Sequence, residues 1–209
     1  PFKQVVIPVL DDLSPSARLV GAVNTVAMKK GVLIGHNTDM EGFRENLRIG
    51  LPDVAGQHVL LIGAGGAGAA VASALLDCGV RLVTIADASH DRSVLLANRL
   101  CAALGDDKAR AASLATLDTR DVDGIVNATP MGMAAHPGMP LDPSLIGEGH
   151  WVADIVYFPL ETELLRVARK KGCRTLDGSG MVIAQAARAF EIITGYSADL
   201  TRMRHSFEI

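Results

Sequence analysis

Residues 58–87 read HVLLIGAGGAGAAVASALLDCGVRLVTIAD, the pattern of a strand, a turn, a helix and a second strand. His58 to Ile62 is a short apolar run, typical of a strand that is buried on both faces. The alanine-rich segment from Ala69 to Asp77 predicts a helix that stops at Gly79, and Leu82 to Ala86 predicts the next buried strand. This order indicates one βαβ unit of a parallel sheet.

The turn between the first strand and the helix has glycines at the spacing G-x-G-x-x-G, which is typical of a dinucleotide-binding loop. Gly63 would make the tight turn, Gly65 would let the backbone approach a pyrophosphate, and Gly68 would let the helix pack close to its strand. Unpaired N–H groups at the helix N-terminus would bind the pyrophosphate. The loop residues predicted to bind the cofactor are Gly63, Ala64, Gly65, Gly66, Ala67 and Gly68.

Asp87 ends the second strand, about twenty positions after the last glycine, where an acid accepts hydrogen bonds from a ribose in dinucleotide-binding proteins. Two alternatives stay open at this point. Asp87 can be a solvated acid at the end of a strand, and the unit can bind a ligand other than a dinucleotide.

Composition and charge exclude several classes of function. Hydrophobic residues are 49% of the 209 and charged residues 21%, which is ordinary for a globular chain with a core. A net charge of −3 gives no basic surface for nucleic acid, and no apolar stretch approaches the ~20 residues of a membrane span. Three isolated cysteines and six histidines show no metal-binding spacing, so we expect a cytoplasmic protein with no metal.

The rest of the chain alternates between helical and strand patterns, which predicts an α/β fold with a doubly wound, parallel Rossmann-type sheet. In the first fifty residues we predict a helix at 15–20 capped by Ser14, a hairpin of 25–28 and 32–35, and a helix that ends near Gly50. The elements predicted after these are a linker at 51–56, helix 91–104, a loop or short strand at 108–113, strand 124–127, loop 133–143, strand 151–156, helix 161–171, strand 173–176, and helices 178–194 and 198–207.

Ligands of such sheets bind beyond the carboxyl ends of the strands, so the candidates for the nicotinamide end of the site are Asn127-Ala128-Thr129, Val156-Tyr157 and Asp177-Gly178. Gly178 can admit a flat ring or can simply begin a helix. Tyr157 is a packing residue unless a substrate lies beside it.

The polar string His36-Asn37-Thr38-Asp39 can belong to a site, yet Thr38 and Asp39 also suit helix capping, which the residues alone favour. Nothing local distinguishes Lys3 from a solvated lysine. The residues by themselves therefore predict a dinucleotide-dependent oxidoreductase of unknown substrate.

Taken together, these strings resemble the shikimate dehydrogenase family, most closely its quinate/shikimate dehydrogenase branch. The resemblance covers essentially the whole chain in the same order, and it implies further residues before Pro1 that include a serine pair for the substrate carboxylate. We therefore expect the 209 residues alone to be poorly active. The matching strings are PFK at 1–3, GAVNT at 21–25, GHNTD at 35–39, the glycine loop, NATPMGM at 127–133 and DGSGMVIAQAA at 177–187.

The resemblance implies that shikimate or quinate is oxidised at one ring hydroxyl to the ketone, with the hydride going to a nicotinamide. It makes Lys3 the acid/base group and Asp39 its partner, which favours a catalytic over a capping Asp39. Asn24 and Gln185 would bind ring hydroxyls, and Tyr157 would line the pocket.

The cofactor preference depends on residues 87–89. Relatives that use NADP have an Asn-Arg-Thr string there, whereas this chain has Asp87, Ala88 and Ser89, which predicts NAD over NADP. Arg92, a further predicted cofactor residue, is the one feature against this interpretation.

The resemblance also predicts a discontinuous division into two domains. Residues 1–45 and 180–209 would form a smaller α/β substrate domain, and 46–179 the dinucleotide domain. A monomer and a homodimer both stay open. The alternatives are a non-catalytic relative that senses shikimate or quinate and an isolated NAD-binding module.

Overall fold

A computed structural model describes residues 2–207, and the first fifty residues of the chain contain a three-stranded sheet and two helices. Pro1, the first residue of the PFK string, lies outside the described residues. The middle strand pairs in parallel with one neighbour and antiparallel with the other, across a turn at Lys30 and Gly31, so the predicted hairpin is confirmed. The elements are β1 (Asp12–Leu13), α1 (Pro15–Val20), β2 (Thr25–Lys29), β3 (Val32–His36) and α2 (Thr38–Gly50).

Both helices begin at a side-chain cap. Ser14 caps α1 as predicted, because its Oγ accepts a hydrogen bond from the Ala17 N–H at 3.2 Å. The cap of α2 is Asn37, whose Oδ1 accepts from the Met40 N–H at 3.0 Å. Thr38 and Asp39 lie inside the first turn, so their interpretation as caps is wrong. Asn37 is the last residue with extended backbone, which places its side chain to reach the helix N–H groups.

Six further strands form one parallel sheet, and helices cover both of its faces. The elements are β4 (His58–Ile62), α3 (Gly66–Asp77), β5 (Leu82–Ala86), α4 (His90–Leu104), β6 (Ala109–Ala112), β7 (Gly124–Asn127), β8 (Trp151–Asp154), α5 (Glu163–Lys170), β9 (Arg174–Leu176), α6 (Ser179–Thr194) and α7 (Leu200–Phe207).

The strands lie in the order β6-β5-β4-β7-β8-β9, so the chain winds outward in one direction from β4 and then in the other from β7. This is the doubly wound Rossmann order, and the predicted fold class is confirmed. The direction of winding reverses between β4 and β7, and a crevice for ligands opens there at the carboxyl ends of the strands.

The central strand β4 is buried on both faces, as its apolar run predicts. Val59 and Leu61 pack in a core cluster with apolar side chains of α2 and α3, whereas Leu60 and Ile62 pack with those of α5. Each such fully buried side chain contributes about 1.5–3 kcal/mol to folding. The sheet is thereby buried between two helical layers, and its carboxyl edge positions the loops that follow the strands.

All predicted elements begin and end within two residues of the observed ones, except that α3 begins at Gly66 instead of Ala69. The glycine loop itself supplies the first turn of this helix, which intrinsic propensity disfavours. Strand β8 ends two residues early, at Asp154, because the carboxylate accepts a hydrogen bond from the Val156 N–H at 3.0 Å and turns the chain out of the sheet.

Helix α6 returns from the large sheet to pack against α2. A Cβ atom on Gly42 would lie 2.7 Å from the Met181 carbonyl oxygen and 2.9 Å from the Gln185 nitrogen, so the two helix backbones approach closely. This contact joins the first fifty residues to the end of the chain, while the division into two domains stays a prediction. Within residues 2–207, no helix combines the length and the apolar character needed to cross a membrane.

Candidate active site

The glycine loop after β4 has the conformation that a dinucleotide requires. Gly63 has a φ of +108°, and a Cβ atom there would lie 2.7 Å from the Ala128 carbonyl oxygen. A Cβ atom on Gly68 would lie 1.9 Å from the Gly63 carbonyl oxygen, so α3 can approach its strand only without a side chain at this position. A Cβ atom on Gly65 would meet nothing within 4 Å, which leaves open space beside the first N–H groups of α3.

Asp87 lies directly against this loop. Its Oδ2 accepts a hydrogen bond from the Ala64 N–H at 2.7 Å, and its Oδ1 accepts from the Ser89 N–H at 2.9 Å. Each carboxylate oxygen has a second acceptor position. A carboxylate held in this way at the mouth of the loop is placed to accept from the hydroxyls of a bound ribose.

A first cavity of about 450 Å³ lies between the loop and α4. Its wall contains three cationic side chains, those of Lys3, Arg92 and Arg99, opposite the loop residues 64–66. The cations and the helix N-terminus both favour a negatively charged ligand. The cavity therefore suits the diphosphate part of a dinucleotide, and Arg92 faces the same space as the loop.

Lys3, which lines this cavity, meets Asn24 and Asp39, although the three residues are far apart in the sequence. The Lys3 Nζ donates to Asp39 Oδ2 at 2.5 Å, and Asn24 Nδ2 donates to Asp39 Oδ1 at 2.8 Å. The Asn24 amide is fixed in turn, because its Oδ1 accepts from the Thr38 N–H at 2.9 Å. The Asp39 side chain is 9% exposed and that of Lys3 is 44% exposed. The ammonium group is thus positioned by a buried carboxylate and is itself open to a ligand.

Backbone contacts hold this cluster together, and sequence reasoning missed them. The Val23 N–H donates to the Lys3 carbonyl oxygen at 2.7 Å. Asn37, which is fully buried, donates from Nδ2 to the Ala22 carbonyl oxygen at 2.9 Å while it caps α2. Asn37 therefore ties the GAVNT string to the helix that carries Asp39. Its position immediately before the first helical residue was the available signal.

Gln185 lies on the neighbouring helix, where α6 packs against α2. Gly42 follows Asp39 by one helical turn, and the close approach at Gly42 brings the Gln185 backbone against this face of α2. The Gln185 Oε1 is buried and has no hydrogen-bond partner among residues 2–207. A buried amide oxygen without a partner is costly, which favours a ligand that donates to it.

A second cavity of about 620 Å³ opens at the carboxyl ends of β7 and β8. Its wall is mostly apolar and includes Ala67, Thr129, Val156 and Tyr157. Tyr157 is 47% exposed, and it borders this second cavity whereas Lys3 borders the first. A flat, weakly polar ring suits such a wall.

Gly178 is the residue immediately before α6, in agreement with its interpretation as a helix-start glycine. A Cβ atom there would lie 2.6 Å from the Ile155 carbonyl oxygen and 2.7 Å from the Val156 carbonyl oxygen. The close approach to the loop after β8 accounts for the glycine, and its contact with a cofactor stays a prediction.

Asp154 and Asn127 form a buried polar pair at the ends of β8 and β7. Asn127 was a predicted candidate for the nicotinamide end, whereas Asp154 was not among the predicted site residues. Asn127 Nδ2 donates to Asp154 Oδ1 at 2.9 Å, and both residues are buried. Burial raises the pKa of Asp154 to about 6. An acid at the end of a buried strand was the only sequence signal for Asp154.

Comparison with known proteins agrees with this geometry. The family model for shikimate/quinate 5-dehydrogenase matches residues 46–131. A shikimate dehydrogenase (NADP(+)) of Streptomyces avermitilis is 54% identical over 205 residues, which are 97% of this chain and 70% of that relative. The chain belongs to the shikimate dehydrogenase family.

Other members of the shikimate dehydrogenase family differ in the cofactor that their names give. A quinate/shikimate dehydrogenase (NAD(+)) of Corynebacterium glutamicum is 45% identical over 215 residues, covering 99% of this chain and 74% of that relative. The structure of quinate dehydrogenase from the same organism in complex with NAD superposes with a TM-score of 0.94 at 45% identity, over 100% of this chain and 75% of that one. Shikimate/quinate dehydrogenase activity with a nicotinamide cofactor is thereby supported, whereas the choice between NAD and NADP is not settled by similarity.

Proposed function

We propose that this chain oxidises a ring hydroxyl of shikimate or quinate to the ketone, uses NAD in preference to NADP, and exchanges the hydroxyl proton with Lys3. The observation that carries the proposal is the cluster of Lys3, Asn24 and Asp39, of which Lys3 lines the cavity beside the glycine loop. Such a reaction requires a proton-transfer group and a cofactor site, and Lys3 lines the cavity in which the glycine loop begins that site.

Lys3 exchanges the proton. When the hydroxyl is oxidised, its O–H bond breaks and the proton passes to the Lys3 amine, while the C–H bond breaks and the C=O bond forms. The hydride leaves that carbon in the same step, and a nicotinamide bound beside it would supply the acceptor. Asp39 holds the Nζ at 2.5 Å and stabilises the ammonium form that results, and Asn24 keeps the carboxylate oriented through its second oxygen.

The substrate ring would be bound by polar side chains around this cluster. Asn24 presents an amide next to Asp39, and the buried Gln185 Oε1 lacks a partner that a ring hydroxyl could supply. Tyr157 would border the ring on the side of the second cavity.

The cofactor would extend from the first cavity to the second. The open space at Gly65 and the N-terminus of α3 fit the diphosphate, and Asp87 fits the adenosine ribose. Ala67, Thr129 and Val156 would then border the nicotinamide half. The carboxylate of Asp87 supports NAD, because a 2′-phosphate at the same ribose would be repelled.

Two other functions predict different behaviour. A non-catalytic sensor of shikimate or quinate has no need of a paired Lys3 and Asp39, and both are present. An isolated NAD-binding module would bind NADH but would never turn over, whatever segment precedes it.

The test compares the 209-residue chain with an extended chain that carries the upstream segment of a longer relative. NADH binding is titrated by fluorescence, and the formation of NADH from NAD is measured with shikimate and with quinate. We expect both chains to bind NADH and the extended chain to oxidise at least one substrate, with a far lower rate for the shorter chain. Binding without turnover in both chains would favour the module, and the absence of NADH binding would contradict the proposal.

A further inference from the structure

We propose that Asp154 is a positioning residue, which sets the two loops that border the nicotinamide half of the cofactor. The inference rests on the function proposed above, because it assigns the second cavity to that half. Asp154 ends β8, is 2% exposed and lines neither cavity, so it acts only through its neighbours.

The first neighbour is the backbone of the loop after β8. Asp154 Oδ1 accepts from the Val156 N–H at 3.0 Å. The Val156 carbonyl oxygen is confined from the other side, since it lies 2.7 Å from where a Cβ atom of Gly178 would be. Val156 is thus fixed between β8 and α6 with its side chain on the cavity wall.

The second neighbour is Asn127 at the end of β7. Its Nδ2 donates to Asp154 Oδ1 and to the Met131 carbonyl oxygen, both at 2.9 Å. These two bonds decide which way the amide points. Its Oδ1 therefore faces Thr129, where it accepts from the backbone N–H at 3.0 Å and from the hydroxyl at 2.7 Å. Asp154 thereby sets the orientation of Thr129 through one intervening amide.

The other carboxylate oxygen faces away from the cavity. Asp154 Oδ2 accepts from the Thr162 hydroxyl at 2.7 Å, and Thr162 caps α5. Gly132 packs against this pair, because a Cβ atom on Gly132 would lie 3.2 Å from the Thr162 side chain and 3.8 Å from Asp154 Oδ2. The partners of Asp154 are three uncharged donors, which an ionised carboxylate satisfies as an acceptor only. Asp154 Oδ1 thus positions the residues that border the cavity, whereas Oδ2 bonds the residue that caps α5. The two roles can be separated by mutation.

The variants separate these roles. Asp154→Ala removes both oxygens, and Asp154→Asn keeps an acceptor toward Val156 and Asn127 because its amide nitrogen can face Thr162. Thr162→Val removes the bond to Asp154 Oδ2 and the cap bond that Thr162 accepts from the Leu165 N–H, but it leaves both bonds of Oδ1 in place, so it serves as the structural control. Each variant is titrated at pH 7.5 with NADH and with ADP, which carries the adenosine and the diphosphate but no nicotinamide. Thermal unfolding shows whether each variant is folded.

We expect Asp154→Ala to weaken NADH binding at least tenfold while ADP binding changes less than twofold, because the glycine loop and Asp87 are untouched. Asp154→Asn and Thr162→Val should bind NADH within threefold of the unmutated chain. An equal loss for NADH and ADP, an equal effect of Thr162→Val, or NADH binding that is unchanged in Asp154→Ala would overturn the inference.

If Asp154→Ala does not fold, Asn127→Asp tests the same chain of contacts with Asp154 in place. It removes the amide donor, and we expect the same selective loss of NADH affinity; unchanged affinity would overturn the inference. An unmutated chain that binds ADP but not NADH would instead contradict the proposed function.

Discussion

We expect two substitutions at the end of β5 to shrink or reverse the proposed preference for NAD. Asp87 is held against the glycine loop by the Ala64 and Ser89 N–H groups, so its carboxylate cannot easily move away from a bound ribose. A 2′-phosphate on a ribose bound by this carboxylate would bring two like charges to a separation on the order of 4 Å. At an effective dielectric constant of ~20, one pair of like charges at this distance costs about 4 kcal/mol.

The guanidinium of Arg92 borders the same cavity and would offset part of this repulsion by attracting the phosphate, and salt would screen a further part. We therefore expect about 3 kcal/mol to remain against NADP. Because each 1.4 kcal/mol is a factor of ten, kcat/KM should favour NAD by about two orders of magnitude or more. Asp87→Asn combined with Ala88→Arg removes the repulsion and adds a cation, which should shrink or reverse the ratio.

The assay measures kcat/KM for NAD and for NADP with saturating substrate in the extended chain. Asp107→Asn combined with Ala103→Arg is the control, since both residues are exposed near the end of α4 and the net charge changes equally. The control should keep the original ratio. Equal kcat/KM values for the two cofactors in the unmutated protein would refute the reasoning, because Asp87 would then not face the ribose.

Three further changes test the fold and the site. Gly68→Ala should abolish NADH binding or folding, because its Cβ would lie 1.9 Å from the Gly63 carbonyl oxygen; normal binding in a titration would contradict the observed turn. Gly42→Ala should lower the free energy of unfolding by about 1–3 kcal/mol in urea, since the Cβ would lie 2.7 Å from the Met181 carbonyl oxygen, and an unchanged midpoint would show that the helices can separate at no cost. The pKa of Asp154 is raised to about 6, which means that the folded state binds the proton more tightly than the unfolded state. The free energy of unfolding should therefore fall as the pH rises from about 4 to 6, by on the order of 2 kcal/mol. Asp154→Asn should remove that part of the pH dependence, and parallel curves for the two proteins would contradict the assignment.

Local patterns were sufficient to predict most of the fold. The apolar run of β4, the glycine spacing and the Ser14 cap are each specified by neighbouring residues, and the structure has them where the sequence indicates. The early start of α3 was missed because glycines have low helix propensity, and only their packing against β4 makes this turn helical.

The parts of the site that could not be predicted depend on contacts between distant segments. Lys3 is unremarkable in the sequence, and only the fold places its Nζ beside Asp39. The bond between Asn127 and Asp154 joins the ends of two neighbouring strands. Only the fold shows that the amide nitrogen of Asn127, and not its oxygen, faces the carboxylate. Family resemblance supplied the role of Lys3 but gave no signal for Asp154.

The central claim is that Lys3 transfers the proton, and the kinetics of Lys3→Ala test it most directly. We expect kcat of the extended chain to fall by roughly 10²–10⁴-fold while KM for shikimate or quinate changes little, since the lost interaction is with the proton in the transition state. Lys170→Ala, at an exposed position near the end of α5, should leave both constants unchanged. A rise in KM with kcat intact would show that Lys3 only binds the substrate, and the proposed mechanism would be wrong.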